Sequence, residues 1–283
     1  MLFERVWAKL WWVIIVKYAG WNVLRKIIGK SDVVLEVVDA RVPDITRSRK
    51  VERLAESLGK KLIIVINKCD LIPKHAAEAW KRKFEEQGYL TVFISARERL
   101  GTRILRSTVK KSVPKKPVIA AIVGYPKVGK STIINILKGR HAATTSPIPG
   151  SPGYTTHIRT YRIDKNLYII DTPGVLPPLG EDVIAFLRGK DPESFKDPVK
   201  PVASFLEIIL NRKPEVIREI YGVEAKDPYK ILEEIALKRK WIYRKTGEPV
   251  IEEAAKLIMR DWFKEKIIVY STPENPLIKL EKK

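Results

Sequence analysis

Residues 124–131 read Gly-Tyr-Pro-Lys-Val-Gly-Lys-Ser, a match to G-x-x-x-x-G-K-[ST]. The setting makes the match constraining. The run Val118-Ile119-Ala120-Ala121-Ile122-Val123 before it predicts a buried strand. After it, Ile133, Ile134, Ile136 and Leu137 give a helical stripe that Gly139 stops. A strand that turns through glycines into a helix gathers backbone N–H groups and the positive helix end around one point, which suits a phosphate. Gly124, Val128, Gly129 and Thr132 belong to that turn, with Lys127 at its edge. Lys130 is placed to reach the β- and γ-phosphates and Ser131 to ligate Mg²⁺.

The segments upstream alternate in the same way. Val33–Asp39, Leu62–Ile66 and Leu90–Ile94 read as strands, with helices over 47–58, about 74–87 and 102–112. Two more strands, about 157–163 and 167–171, flank the turn Asp164-Lys165-Asn166. Apolar runs separated by helices predict a parallel sheet covered on both faces. Past Gly180 the spacing is helical, as in Val202, Phe205, Leu206 and Ile209. This predicts an extension over 1–30 that is helical, an α/β domain over 31–179 and a smaller all-α domain over 180–283.

The formal charge of +21 points to an anionic partner and says nothing about fold. Residues 1–179 carry 33 Lys and Arg against 14 Asp and Glu, whereas residues 180–283 carry 21 against 19. The basic field therefore belongs to the first half. The single Cys69 excludes an internal disulfide and fits a reducing cytoplasm. The apolar run Leu10–Val16 is closed by Lys9 and Lys17, far short of the roughly 20 residues a span needs. Membrane association is not expected: the plain reading is a helix packed on the body, and the sharper one an RNA- or membrane-surface helix, with tryptophan and lysine interleaved.

Three further segments end strands, where an α/β sheet binds ligands. In Asn67-Lys68-Cys69-Asp70 the carboxylate can accept from both N1–H and the 2-amino group of guanine, a donor pair adenine lacks. Asn67 would brace the loops and the Lys68 stem would cover the ring. In Ser95-Ala96-Arg97 a backbone N–H can meet the guanine O6. In Asp171-Thr172-Pro173-Gly174 the carboxylate would hold Mg²⁺ and the Gly174 N–H would meet the γ-phosphate. Thr155, or its neighbour Thr156, would complete the Mg²⁺ shell. On this reading Lys130, Thr155, Asp171 and Gly174 carry the chemistry.

All five GTPase elements are thus present, but the base-reading pair precedes the phosphate loop. The set resembles the circularly permuted GTPases of the YlqF/YawG type, a ribosome-assembly family, and Asp39-Ala40-Arg41-Val42-Pro43 resembles their DARxP signature. The resemblance implies a three-layer P-loop GTPase domain of permuted strand order followed by the all-α domain. It also implies GTP as substrate, GDP as product, and a monomeric factor acting on the large ribosomal subunit or its precursor. Val175 stands where many GTPases carry a water-orienting glutamine. That feature favours the alternative of a GTP-gated RNA-binding module with negligible turnover. The family typically has asparagine at the position of Lys127. The lysine either replaces a monovalent cation beside the phosphates or meets RNA in solvent. For ribosomal RNA, Arg103, Arg106 and Lys110 share one helix face, extended by Lys111, with Ile104, Leu105, Thr108 and Val109 facing the other way.

Overall fold

The computed structural model describes residues 20–139, 144–145, 159–172 and 176–278. Helix α1 is described over 20–30. The chain continues as β1 (Val33–Asp39), α2 (Pro43–Thr46), α3 (Arg49–Ser57), β2 (Lys61–Asn67), α4 (Lys74–Glu86), β3 (Leu90–Phe93), α5 (Thr102–Lys111), β4 (Val118–Val123) and α6 (Lys130–Lys138). The short β5 (Thr144–Thr145) precedes β6 (Arg159–Asp164) and β7 (Leu167–Asp171). Five helices follow: α7 (Val183–Leu187), α8 (Val199–Arg212), α9 (Glu215–Tyr221), α10 (Pro228–Lys238) and α11 (Ile251–Phe263).

The described strands form one sheet in the order β3-β2-β1-β4-β7-β6-β5. The first five in that order run parallel, and β6 and β5 close the far edge antiparallel. Alternate residues of β1 explain the layering. Val33, Leu35 and Val37 pack beneath α5 and α6 with Leu105, Val109, Ile133 and Leu137. Val34 faces α1 and α3 through Leu24, Ile28, Val51 and Ala55, and Val38 faces α4 through Trp80 and Phe84. Covered on both faces, the central strands have no polar side to show, which is why their sequences are apolar runs.

The helical region is not walled off at residue 180. Its core, built on Phe186, Phe205 and Trp262, also takes in Val42 and Ile45 from the first half. In return Ile268 and Tyr270 pack against the α4 cluster. The 267–270 run lies along the sheet domain, with Ser271 N–H donating to the Arg41 carbonyl at 2.8 Å and Trp80 Nε1 to the Ser271 carbonyl at 2.8 Å. Among the described residues no helix is long and apolar enough to cross a membrane.

Candidate functional site

Parallel strands bring their carboxyl ends to one edge. Asp39 is in register with Asn67, Ile66 with Phe93 and Ile122 with Asp171. The loops leaving these ends therefore converge without further contrivance. Asn67 ties three of them together: its Nδ2 donates to the Val128 carbonyl at 2.8 Å, and its Oδ1 accepts from the Ala96 N–H at 3.0 Å. A buried amide that offers both a donor and an acceptor is what this bridge requires. The price of the close approach falls on glycine. At Gly129, φ is 99° and a Cβ would stand 2.2 Å from Asn67 Nδ2; at Gly124, φ is 149° and a Cβ would stand 2.5 Å from the Val37 carbonyl. Both positions lie where side chains are strained.

Lys130 opens α6 and folds back over the loop, donating to the carbonyls of Gly124 at 2.8 Å and Tyr125 at 2.7 Å. Burial pushes its ammonium down to about 8, with the Asp171 carboxylate opposing the shift. Burial in turn raises the Asp171 carboxyl, against the attraction of Lys130. The next residue, Thr172, donates its hydroxyl to the Ile122 carbonyl at 2.6 Å and fixes the exit of β7. Ser131 and Thr132 are exposed at the start of α6. The Ser131 hydroxyl and the Asp171 carboxylate make an oxygen-only donor set, the chemistry Mg²⁺ selects. Thr155, Gly174 and Val175 lie outside the described residues.

On the base side, Ser95 is fully buried and Cys69 N–H donates to the Ile94 carbonyl at 3.1 Å. Burial first, then the neighbouring Asp70, pushes the Cys69 thiol up to about 11, so it stays protonated. Because Asn67 takes the Ala96 N–H, the Arg97 N–H is the one in this turn left without a partner among the described residues. Asp70 is among the residues lining a cleft of 620 Å³ formed by β3 with α4 and α5. The Asp70 Oδ2 accepts from Arg97 Nη2 at 3.0 Å. Lys68, with φ 66°, places its Nζ 2.9 Å from Asp39 Oδ2 and 3.4 Å from Glu265 Oε1.

The DARxP segment has a chemical role that its pattern did not disclose. Arg41 is buried and grips Asp39 with both Nε, at 3.1 Å to Oδ1, and Nη2, at 2.9 Å to Oδ2. Its guanidinium lies 3.5 Å from the centroid of the Trp262 ring, and its Nη1 donates to the Trp262 carbonyl at 2.9 Å. The phosphate loop also meets the helical region. Lys127 Nζ lies 3.8 Å from the centroid of Phe263, and the Gly189 backbone passes so close to Pro126 that a Cβ would stand 2.6 Å from the Pro126 carbonyl. Lys127 is exposed at the edge of the loop, with its ammonium over the Phe263 ring. Phe263 and Glu265 carry no motif, and their place at the site is legible only in three dimensions.

Two members of the basic stripe on α5 have partners within the fold. Arg106 donates to the Leu137 carbonyl at the end of α6, and Lys110 pairs with Asp164 at 2.6 Å. Arg103 and Lys111 are exposed and have no partner among the described residues. Leu105 and Val109 face inward as expected, but Ile104 is 62% exposed.

The RsgA GTPase family model matches residues 17–177. The chain is 39% identical over 253 residues to the Uncharacterized GTP-binding protein MJ1464 of Methanocaldococcus jannaschii, covering 88% of this chain and 66% of that protein. It is 33% identical over 263 residues to Nucleolar GTP-binding protein 2 of Saccharomyces cerevisiae, covering 89% of this chain and 53% of that one. To its Neurospora crassa counterpart it is 34% identical over 256 residues, covering 87% and 40%. The chain therefore spans between 40% and 66% of the length of these curated relatives. Among solved structures, GDP-bound TM YlqF superposes with a TM-score of 0.58 at 26% identity, covering 87% of this chain and 96% of that one. GNP-bound YlqF from T. maritima gives 0.57 at 25% identity, covering 87% and 94%.

Proposed function

Because the chain belongs to the RsgA GTPase family, in its YlqF-type circularly permuted form, we propose that it binds GTP with Mg²⁺ and hydrolyses it to GDP and phosphate. We place it as a nucleotide-switched factor that binds ribosomal RNA in assembly of the large ribosomal subunit. The observation that carries the nucleotide reading is the Asn67 bridge, which holds the Asp70 turn, the Ala96 turn and the phosphate loop at one strand edge. The RNA and ribosome reading rests on the family resemblance and on the charge of +21.

Each residue's part follows from its surroundings. Asp70 reads the guanine edge, and the Arg97 N–H is the free donor for its O6. The Lys68 stem, anchored at Asp39, covers one face of the ring. Lys130 exchanges two loop carbonyls for phosphate oxygens, and the anionic ligand restores the charged form that burial disfavours. Ser131, Thr155 and Asp171 would hold Mg²⁺, which supplies neutralisation of phosphate charge. The Gly174 N–H meets the γ-phosphate, so its loss on hydrolysis releases the segment that leads into the helical region. Val175 cannot orient water, which favours slow hydrolysis without a ribosomal partner; at the limit the chain is a GTP-gated RNA binder.

Titration with guanine and xanthine nucleotides tests the first reading. Asp70→Asn should lose GTP affinity and gain xanthine nucleotide affinity; unchanged GTP binding would remove Asp70 from the site. Single-turnover hydrolysis with and without large subunits separates enzyme from gated binder. Co-sedimentation with subunits under GDP, GTP and a non-hydrolysable analogue tests the ribosomal role.

A further inference from the structure

The end of α11 touches the Arg41 segment, the edge of the phosphate loop and the base-reading turns. Trp262 lies under Arg41, Phe263 under Lys127, and Glu265, in left-handed backbone with φ 64°, reaches Lys68 and Arg97. The Glu265 contacts concern the carboxylate that reads the base. Arg97 Nη2 is 3.0 Å from Asp70 Oδ2, its Nη1 is 2.8 Å from Glu265 Oε2, and its Nε is 3.2 Å from Glu98 Oε1.

Resting on the reading of Asp70 as the guanine acceptor, we propose that Arg97 competes with guanine for Asp70, and that Glu265 is the positioning residue that draws Arg97 away. Guanine needs both carboxylate oxygens, one for N1–H and one for the 2-amino group. Arg97 already donates to Oδ2, so base and guanidinium draw on the same oxygen and each bond is weaker when the other is made. A guanidinium has five donors in a rigid fork and leaves an anion at low cost only when another acceptor is already in hand. Glu265 is that acceptor: its side chain is 20% exposed, against 53% for Glu98, so its attraction is less screened. Asp70 is 14% exposed and is the stronger competitor once Glu265 is gone. Lys68 does not depend on Glu265, because Asp39 holds it at 2.9 Å. The effect of Glu265 on guanine therefore runs through Arg97. Since Glu265 follows α11, guanine affinity becomes a report on whether the helical region is docked.

The test is the affinity of the 283-residue chain for GDP, measured by titration with a fluorescent GDP analogue. Arg97→Ala should tighten binding and Glu265→Gln should weaken it, each by about two- to fivefold, the scale of a partly exposed ion pair. The double variant should match Arg97→Ala, because Glu265 has nothing left to act upon. Opposite signs for the two single variants are what a merely structural role does not produce. Arg97 is 59% exposed, so its removal leaves the core intact. Weaker or unchanged binding in Arg97→Ala overturns the proposal, as does a Glu265 effect that persists in the double variant. Asp70→Asn in the same titration keeps the two readings apart. If it leaves GDP affinity unchanged, guanine recognition at Asp70 falls and the competition with it; if it abolishes affinity while Arg97→Ala does nothing, only the competition falls.

Discussion

Replacing Arg41 by methionine should unfasten the helical region from the sheet, and its cost can be worked from the contacts. The guanidinium is buried, with a bidentate grip on Asp39 at 2.9 and 3.1 Å, the Trp262 ring at 3.5 Å and the Trp262 carbonyl at 2.9 Å. Breaking a buried ion pair by removing one partner costs about 3–5 kcal/mol. Lys68 remains beside Asp39, which argues for the lower end. A desolvated cation–π contact adds ~2 kcal/mol, and the orphaned carbonyl ~1–3 kcal/mol, but groups this close do not add. A loss of about 4 kcal/mol, out of the roughly 5–15 that holds a domain together, is the expected outcome in urea unfolding. Methionine keeps the volume, so the cavity contribution is small. Arg41→Lys keeps the charge but not the fork and should lose about half as much. The acid limb should move as well. Burial alone would raise the Asp39 carboxyl, but Arg41 and Lys68 together hold it well below the usual carboxylate range. A depressed folded pKa stabilises above the unfolded value of 3.8, and that stability is lost as pH falls through the folded value. Without Arg41 the folded value climbs, so the variant's relative loss should shrink in acid. A destabilisation below about 1 kcal/mol at neutral pH would refute the reasoning, because no buried pair of this kind is that cheap to break.

Three further outcomes follow from the geometry. The Glu36 carboxyl, buried in β1, is pushed up to about 8 by desolvation first and by Glu52 second, so the fold holds its proton between pH 4.5 and 8. Stability from that proton is present below 4.5 and fades as pH rises toward 8, so Glu36→Gln should gain on the wild type in thermal unfolding at pH 9 relative to pH 5; a pH-independent difference would contradict it. Gly129→Ala, at φ 99° with its Cβ 2.2 Å from Asn67 Nδ2, should break the Asn67 bridge and lower GDP affinity at least tenfold, whereas wild-type affinity would mean that the bridge does not organise the loops. Alanine at Arg103 and Lys111 should each lower the slope of log RNA affinity against log salt by about one, while alanine at Arg106 or Lys110 should lower stability with little change in that slope.

Most of the sheet was legible because β1, β2 and β4 are covered on both faces and can only be apolar. Glu36 is the exception within β1, and its partner, the Ser48 N–H at 2.6 Å, is set by how α3 leaves the loop. The loops at the site were legible where a motif encodes a backbone need, as with Gly124, Gly129 and Asn67. Periodicity placed Arg106 and Lys110 on one face of α5 but could not say that α6 and β6 lie over that face. The same limit applies to Lys127: its neighbour Phe263 comes from a helix whose docking no local pattern records. The change of texture near residue 180 is real, yet Val42 and Ile45 cross it because α2 follows directly from the strand edge that the helical region covers.

The Arg41 clamp also has a place in time. The groups that receive its Nη1 lie 221 and 226 residues downstream, at Trp262 and Ile267. A ribosome adds roughly 5–20 residues per second. The guanidinium therefore waits about 10–45 s after its own synthesis before its last acceptors exist. Asp39 and Lys68 are synthesised early in that interval or before it, and β1 and β2 both precede β4 in the chain. In chain order the base-reading strands come first, the phosphate loop next, and the acceptors that hold the arginine to the helical region only after both.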